Sequence, residues 1–203
     1  MLKRISEEET VSILKRGGVV VFPSETSYSL GCRASDRDAV SRLMGLKRRP
    51  DGRPLPVLLP SLRALERHQP DTPLLALAQA FWPGPLTLVV AAFPGLASSI
   101  TGDTNMVGVR VSGHPVAARI ALALGEPIVA TSANRSGQPA PNSPEACDAA
   151  GLDDADGLLA DGPVPGSKST VVGLVDGTLR VFREGPITID AIEAAWAQSA
   201  LRG

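Results

Sequence analysis

The sequence predicts an α/β fold in which a single twisted mixed sheet is flanked by helices, and three observations predict it. Apolar runs of strand length alternate along the chain with amphipathic stretches of helical period, the pattern of a sheet covered by helices. The connections between them are irregular and rich in Pro and Gly, unlike a regular succession of parallel crossovers. One pair of runs, 170–175 and 178–183, is joined by Asp176-Gly177, which signals a two-residue hairpin and hence some antiparallel pairing.

The elements follow in order. Ser6-Glu7-Glu8-Glu9 is a capping box that opens a first helix, with Val11, Ile13 and Leu14 on its apolar side and Gly17-Gly18 at its end. Residues 18–22 read as a buried strand stopped by Pro23, and the hydroxyl-rich run 24–31 follows as a loop. Ser35 and Asp38 open a second helix through Ala39, Leu43 and Leu46. It delivers Lys47 and Arg49 at its C-terminal end, where the helix dipole favours cations, and Pro50 fixes the exit. Residues 55–59 form a strand, and 73–82 form a helix with Pro in its first turn, stopped by Pro83-Gly84-Pro85. Strands at 86–91 and 107–111, an Ala-rich helix at 115–124 closed by Gly125, and a buried strand at 127–130 come next. A strand at 156–160, the hairpin, and a final helix at 190–200 complete the chain.

A length of 203 residues suits one domain, 1–203, around a single core. There is no internal repeat, and Gln138-Pro139-Ala140-Pro141 is too short for a domain linker. With 43% hydrophobic and 20% charged residues the chain is neither disordered nor membrane-spanning, and no apolar run approaches a membrane helix. The N-terminus lacks the apolar segment of a signal peptide, so the expected location is cytoplasmic and Cys32 and Cys147 are expected as buried thiols. A net charge of −1 gives no general case for nucleic-acid binding. Between Arg33 and Arg67, however, nine basic residues face only Asp36, Asp38, Asp51 and Glu66. This is either a solvated helix face or one positive concave surface for a phosphate or carboxylate ligand.

Four polar knots could carry chemistry. Thr131-Ser132-Ala133-Asn134-Arg135-Ser136-Gly137 directly follows a buried strand, where hydroxyl and amide groups either hold a ligand or satisfy one another in a tight turn. Lys47-Arg48-Arg49-Pro50 supplies a point charge and a planar fork suited to a polyphosphate, or simply a solvated helix end. Ser24-Glu25-Thr26 also follows a strand, the position where ligands collect in α/β sheets, and Ser167-Lys168-Ser169-Thr170 precedes one. Arg110 lies inside a strand and needs a partner, either a ligand or a carboxylate such as Glu25 or Asp103. His114 reads as packing at a helix start and Trp82 as core. No Ser-His-Asp order, His/Cys metal set or phosphate-binding Gly-Lys loop is present.

Together these residues resemble the YrdC-like family of threonylcarbamoyl-AMP synthases. The similarity runs from about Gly17 to Gly185. Phe22-Pro23-Ser24-Glu25-Thr26-Ser27-Tyr28-Ser29-Leu30-Gly31 is similar to the family's Pro-Thr-Glu-Thr-x-Tyr-Gly-Leu-Gly, and Lys47-Arg48-Arg49-Pro50 to its Lys-x-Arg-Pro. Trp82-Pro83-Gly84-Pro85-Leu86-Thr87, Arg110-Val111-Ser112-Gly113-His114-Pro115, 131–137 and Ser169-Thr170-Val171-Val172 follow in the family's order. The resemblance implies a positively charged concave cavity and a catalytic set of Lys47, Arg49, Ser132 and Asn134. It further implies that Ser24, Arg110, Ser132 and Ser169 contact threonine, and that Lys47, Arg49, Asn134, Asn142 and Arg183 bind the nucleotide. The implied reaction joins L-threonine, bicarbonate or CO2, and ATP with Mg²⁺, giving threonylcarbamoyl-AMP and pyrophosphate for tRNA modification.

Partners implied are tRNA or double-stranded RNA and downstream tRNA-modification proteins. Ser27 and Ser29 stand where the family has an apolar residue and a glycine, Ser24 lacks the family's methyl, Gly173 replaces an Asp, and Leu58 stands where many members carry a histidine. A positive φ at the lost glycine, position 29, would alter that loop. Two alternatives compete: a paralogue acting on another amino acid or carbamoyl donor, and an RNA-binding module. The Ser-x-Asn pair favours the enzyme, and with 3% aromatics no base-stacking platform for RNA is visible.

Overall fold

The computed structural model describes residues 1–49 and 52–200. Its centre is a nine-stranded mixed sheet of order β7-β1-β2-β6-β3-β5-β4-β8-β9. The strands are β1 (Val20–Pro23), β2 (Tyr28–Arg33), β3 (Val57–Leu58), β4 (Leu86–Ala91), β5 (Met106–Arg110), β6 (Ile128–Ser132), β7 (Gly157–Leu158), β8 (Thr170–Val175) and β9 (Thr178–Arg183). The helices are α1 (Glu7–Lys15), α2 (Arg37–Lys47), α3 (Leu62–His68), α4 (Leu75–Phe81), α5 (Pro115–Leu124), α6 (Pro144–Asp148) and α7 (Ile189–Ala200), with a short 3-10 turn at Ser98–Ile100.

Local chemistry accounts for several boundaries. The capping box forms: Ser6 Oγ accepts from the Glu9 amide at 3.1 Å and Glu9 Oε2 accepts from the Ser6 amide at 2.8 Å. Asp36, rather than Ser35 or Asp38, caps α2 by accepting from the Ala39 amide. That helix ends on Lys47, with Arg48 at a left-handed φ of 48°. Pro50, expected to fix the exit, lies outside the described residues.

Within the expected strands 55–59 and 156–160 only Val57–Leu58 and Gly157–Leu158 form, and β6 extends through Thr131 and Ser132, beyond its expected end at Ala130. Three elements depart from the sequence expectation in kind. The supposed loop 24–31 stops at Ser27, because Tyr28–Arg33 is a buried strand pairing antiparallel with both β1 and β6. Ser29 pairs with Ser132 across β2 and β6, and its φ is not positive, so the missing glycine leaves the backbone undisturbed. Helices α3 and α6 are extra, each shorter than the two or three turns over which periodicity becomes legible.

The sheet carries two apolar layers. On one face Leu30, Val57, Leu88, Val109 and Val172 pack with Leu43 of α2, Leu77 of α4 and Ile192 of α7. On the other, Val20, Phe22, Leu58, Ile128 and Ala130 pack with Leu14 of α1 and Val116, Ala117 and Ile120 of α5. Cys32 and Cys147 are free buried thiols, as expected. Among the described residues no helix is long and apolar enough to cross a membrane.

Candidate functional site

The two motifs read separately in the sequence meet at the C-terminal end of α2. Lys47 is buried, 2% exposed, and its ammonium donates to the carbonyl oxygens of Ser132 and of Asn134, the latter at 2.8 Å. The main chain answers in the other direction, since the Ser136 amide donates to the Lys47 carbonyl at 2.8 Å. The turn after β6 is thus fastened to α2 from both sides. Asn134 Nδ2 closes the turn by donating to the carbonyls of Arg135 and Gln138 at 2.8 and 2.7 Å, while its Oδ1 is buried without a partner. Such an acceptor is costly to bury unless a donor arrives. Burial, then the neighbouring Arg49 charge, lowers the Lys47 pKa from 10.5 to about 8. Arg49 donates to the carbonyls of Pro54 and Arg53 at 2.7 and 3.4 Å, and burial lowers its pKa too.

A second constellation forms around Arg110. Three strands, β2, β6 and β3, separate β5 from β1, so a flat sheet would hold them about 19 Å apart. Yet Arg110 Nη1 lies 2.8 Å from Glu25 and donates to Thr26 Oγ1 at 3.3 Å, both in the turn after β1. The turn after β1 and the long Arg110 and Glu25 side chains bridge that span, aided by the ordinary twist of the sheet. The partner anticipated for Arg110 as Glu25 or Asp103 is Glu25, which also accepts from Ser112 Oγ. Ser24 is fully buried, with Oγ donating to the Ser27 carbonyl at 2.7 Å and lying 3.2 Å from Thr26 Oγ1.

The third group is Ser169, whose Oγ lies 2.8 Å from Thr87 Oγ1 and accepts from Arg183 Nη2 at 3.1 Å. Arg183 also donates from Nε to the Ser169 carbonyl at 2.9 Å. Burial lowers the pKa of Arg110, Glu25 opposes the shift, and the Arg183 charge adds to it, so the second and third groups are electrostatic neighbours. Two guanidiniums beside one carboxylate leave an excess of positive charge for an anion.

Asn142 is exposed and borders the strap 161–168. Its carbonyl accepts from the Val164 amide at 2.8 Å, while Ser167 donates its amide to the Thr26 carbonyl at 2.9 Å. The strap is further held by Tyr28, whose hydroxyl donates to the Gly162 carbonyl at 2.7 Å and accepts from the Asp161 amide at 3.0 Å. Thr26, part of the Ser24-Glu25-Thr26 knot, is a buried member of these networks, as are Thr87 and Ser112, to which sequence reasoning assigns no individual role because single hydroxyls carry no local signal. Among the described residues no three His, Cys, Asp or Glu side chains converge as metal ligands.

Comparison with known proteins places this arrangement. The family model Sua5_yciO_yrdC, described as telomere recombination, matches residues 12–185, a span that contains every residue of the three groups. The chain belongs to the Sua5/YciO/YrdC family. A threonylcarbamoyl-AMP synthase of Alkalilimnicola ehrlichii is 45% identical over 62% of this chain and 66% of its own length. One from Bacillus subtilis is 37% identical over 92% of this chain and 55% of its own length. The crystal structure of P. abyssi Sua5 complexed with L-threonine matches with a TM-score of 0.87 and 34% identity, over 95% of this chain and 58% of that one. The chain therefore spans between 55% and 66% of the length of these relatives. The mixed sheet flanked by helices is the family's fold.

Proposed function

We propose that the chain, acting as one domain over 1–203 with a positively charged cavity, is an L-threonylcarbamoyladenylate synthase. It would form threonylcarbamoyl-AMP and pyrophosphate from L-threonine, bicarbonate or CO2, and ATP. The observation that carries this is the clamp of Lys47 on the Ser132 and Asn134 carbonyls, which gathers the Lys-x-Arg and Ser-x-Asn pairs into one cationic, water-poor corner. Its relatives bear the name of that activity, and the P. abyssi structure holds L-threonine.

In the reaction the threonine amine adds to CO2, formed by dehydration of bicarbonate, and loses a proton to give a carbamate. A carbamate oxygen attacks the α-phosphorus of ATP, the bond to the bridging β-phosphate oxygen breaks, and pyrophosphate leaves. The protein's part is to hold reactants in line and to offset charge. Arg110, with Ser24 and Thr26 beside it, suits the threonine carboxylate and hydroxyl, and Ser169 faces the same charge cluster. Lys47, charged below about pH 8, retains one N–H beyond its two carbonyl bonds for a phosphate oxygen, and Arg49 adds a second cation. Asn134, Asn142 and Arg183 complete the nucleotide side. Mg²⁺ would travel on the triphosphate and neutralise its oxygens. The product would supply threonylcarbamoyladenosine modification of tRNA in the cytoplasm.

The test is to incubate the purified protein with ATP, bicarbonate and labelled L-threonine and to follow pyrophosphate and the acyl-adenylate. Threonine-dependent pyrophosphate is expected. Its absence, or an equal response to other amino acids, overturns the assignment. Asn134→Ala is expected to lower turnover at least 100-fold by roughly the scale of one lost oriented contact in the transition state, with circular dichroism unchanged; normal turnover contradicts its role.

A further inference from the structure

Helices α1 and α5 cover one face of the sheet only as far as β3, and the same face continues uncovered by them across β5, β4, β8 and β9. Register defines what lies there: Gly108 of β5 pairs with Val89 of β4, and Val89 with Gly173 of β8, all alternating with the buried Val109, Leu88 and Val172 of the opposite face. Gly108 and Gly173 flank Val89 in that row, and the buried Gly173 lets a ring pack close against the backbone. A Cβ built on Gly173 would lie 3.0 Å from Phe182 Cε2, so the Phe182 ring is itself seated on Gly173, while the residue stays 55% exposed.

Phe182 reaches this face because of an irregularity in the hairpin. Val171 pairs with Arg183 and Val172 with Val181, which leaves Phe182 as the extra residue of a β-bulge. A bulge re-aims side chains, here setting the Phe182 ring and the Arg183 guanidinium side by side instead of on opposite faces. Arg183 in turn bonds Ser169 and adds its charge to that of Arg110. An aromatic ring seated on a glycine with its outer side exposed, next to paired guanidiniums, suits a flat aromatic group tethered to an anion.

We propose that Phe182 is the base-stacking residue of the nucleotide site, its inner side seated on Gly173 and its outer side open to the nucleobase. The assignment rests on the nucleotide-dependent reading above but concerns binding alone, so it is tested without threonine or bicarbonate. Equilibrium affinities for ATP and for inorganic tripolyphosphate are measured by calorimetry on the full chain and on Phe182→Ala, Phe182→Leu and Phe182→Trp. Loss of one base stack weakens ATP by about tenfold or more in the Ala and Leu variants, leaves tripolyphosphate unchanged, and is reversed by Trp. Unchanged ATP affinity in Phe182→Ala overturns the proposal, as does a Leu variant that binds like wild type or a parallel loss of tripolyphosphate. Wild type that binds ATP through Phe182 yet makes no threonine-dependent pyrophosphate would overturn the reaction and leave the base contact standing.

Discussion

Replacing Lys47 by Met separates the cation's structural task from its chemical one. In the folded protein Lys47 is 2% exposed and its pKa falls from 10.5 to about 8, chiefly through burial. That difference sets about 3 kcal/mol against the charged form. Because the folded state releases this proton near pH 8 and the unfolded chain only near 10.5, the unfolded state binds more protons between those values. Stability therefore rises with pH across the window, and below pH 8, where both states are charged, the penalty is constant. Between pH 7 and pH 10 the gain is about 2.5 kcal/mol. Lys47→Met lacks this titration. It also deprives the Ser132 and Asn134 carbonyls of their donor, at about 1–3 kcal/mol each, partly offset by no longer burying an ammonium. At pH 7 the variant is expected to lie within about 2 kcal/mol of wild type. The stability difference should then widen in wild type's favour by about 2.5 kcal/mol at pH 10. Urea unfolding followed by the fluorescence of Trp82 and Trp196 measures both. A difference that stays flat within about 0.5 kcal/mol from pH 7 to pH 10 refutes the burial of a charged Lys47.

Other outcomes follow from the same geometry. Glu25→Ala strands the buried Arg110 and should cost about 3 kcal/mol in urea unfolding, whereas Glu25→Met with Arg110→Met should recover most of that loss; equal costs for single and double variants would contradict the pair. Gly173→Asp, restoring the residue the family usually carries, forces a Cβ to 2.9 Å from Val89 Cβ and 3.0 Å from Phe182 Cε2. It should destabilise by about 1–3 kcal/mol, and Phe182→Ala should relieve part of this in a double-mutant cycle; additive effects would rule out the contact. Burial pushes the thiols of Cys32 and Cys147 up to about 12, so neither should react with iodoacetamide at pH 8 until the protein unfolds, as mass spectrometry would show.

Much of the fold was legible because its signals are local. The bounds of β4, β8, β9 and α5 coincide with those expected, since each is closed by chemistry next to it: Pro85, Pro115, Gly125 and the Asp176-Gly177 turn. Strand β2 was not legible. Its Ser29 is polar by composition, and only pairing with Phe22 and Ser132 on its two sides makes that position a strand interior. The bulge at Phe182 is likewise invisible until β9 is set against β8.

For the site, the sequence by itself determined which residue types exist and the local elements that present them: a helix ending in Lys47 and Arg49, and a strand opening into Ser132 and Asn134. Tertiary structure decided what they touch. It turned the Lys47 ammonium onto two carbonyls 85 and 87 residues away, leaving a single N–H for a ligand. It also chose Glu25 over Asp103 for Arg110 by bringing the turn after β1 to the end of β5 across three intervening strands. Capping and periodicity act within a few residues and can be read along the chain. The pairing of buried charges depends on where desolvation leaves no other partner, and only the folded chain fixes that.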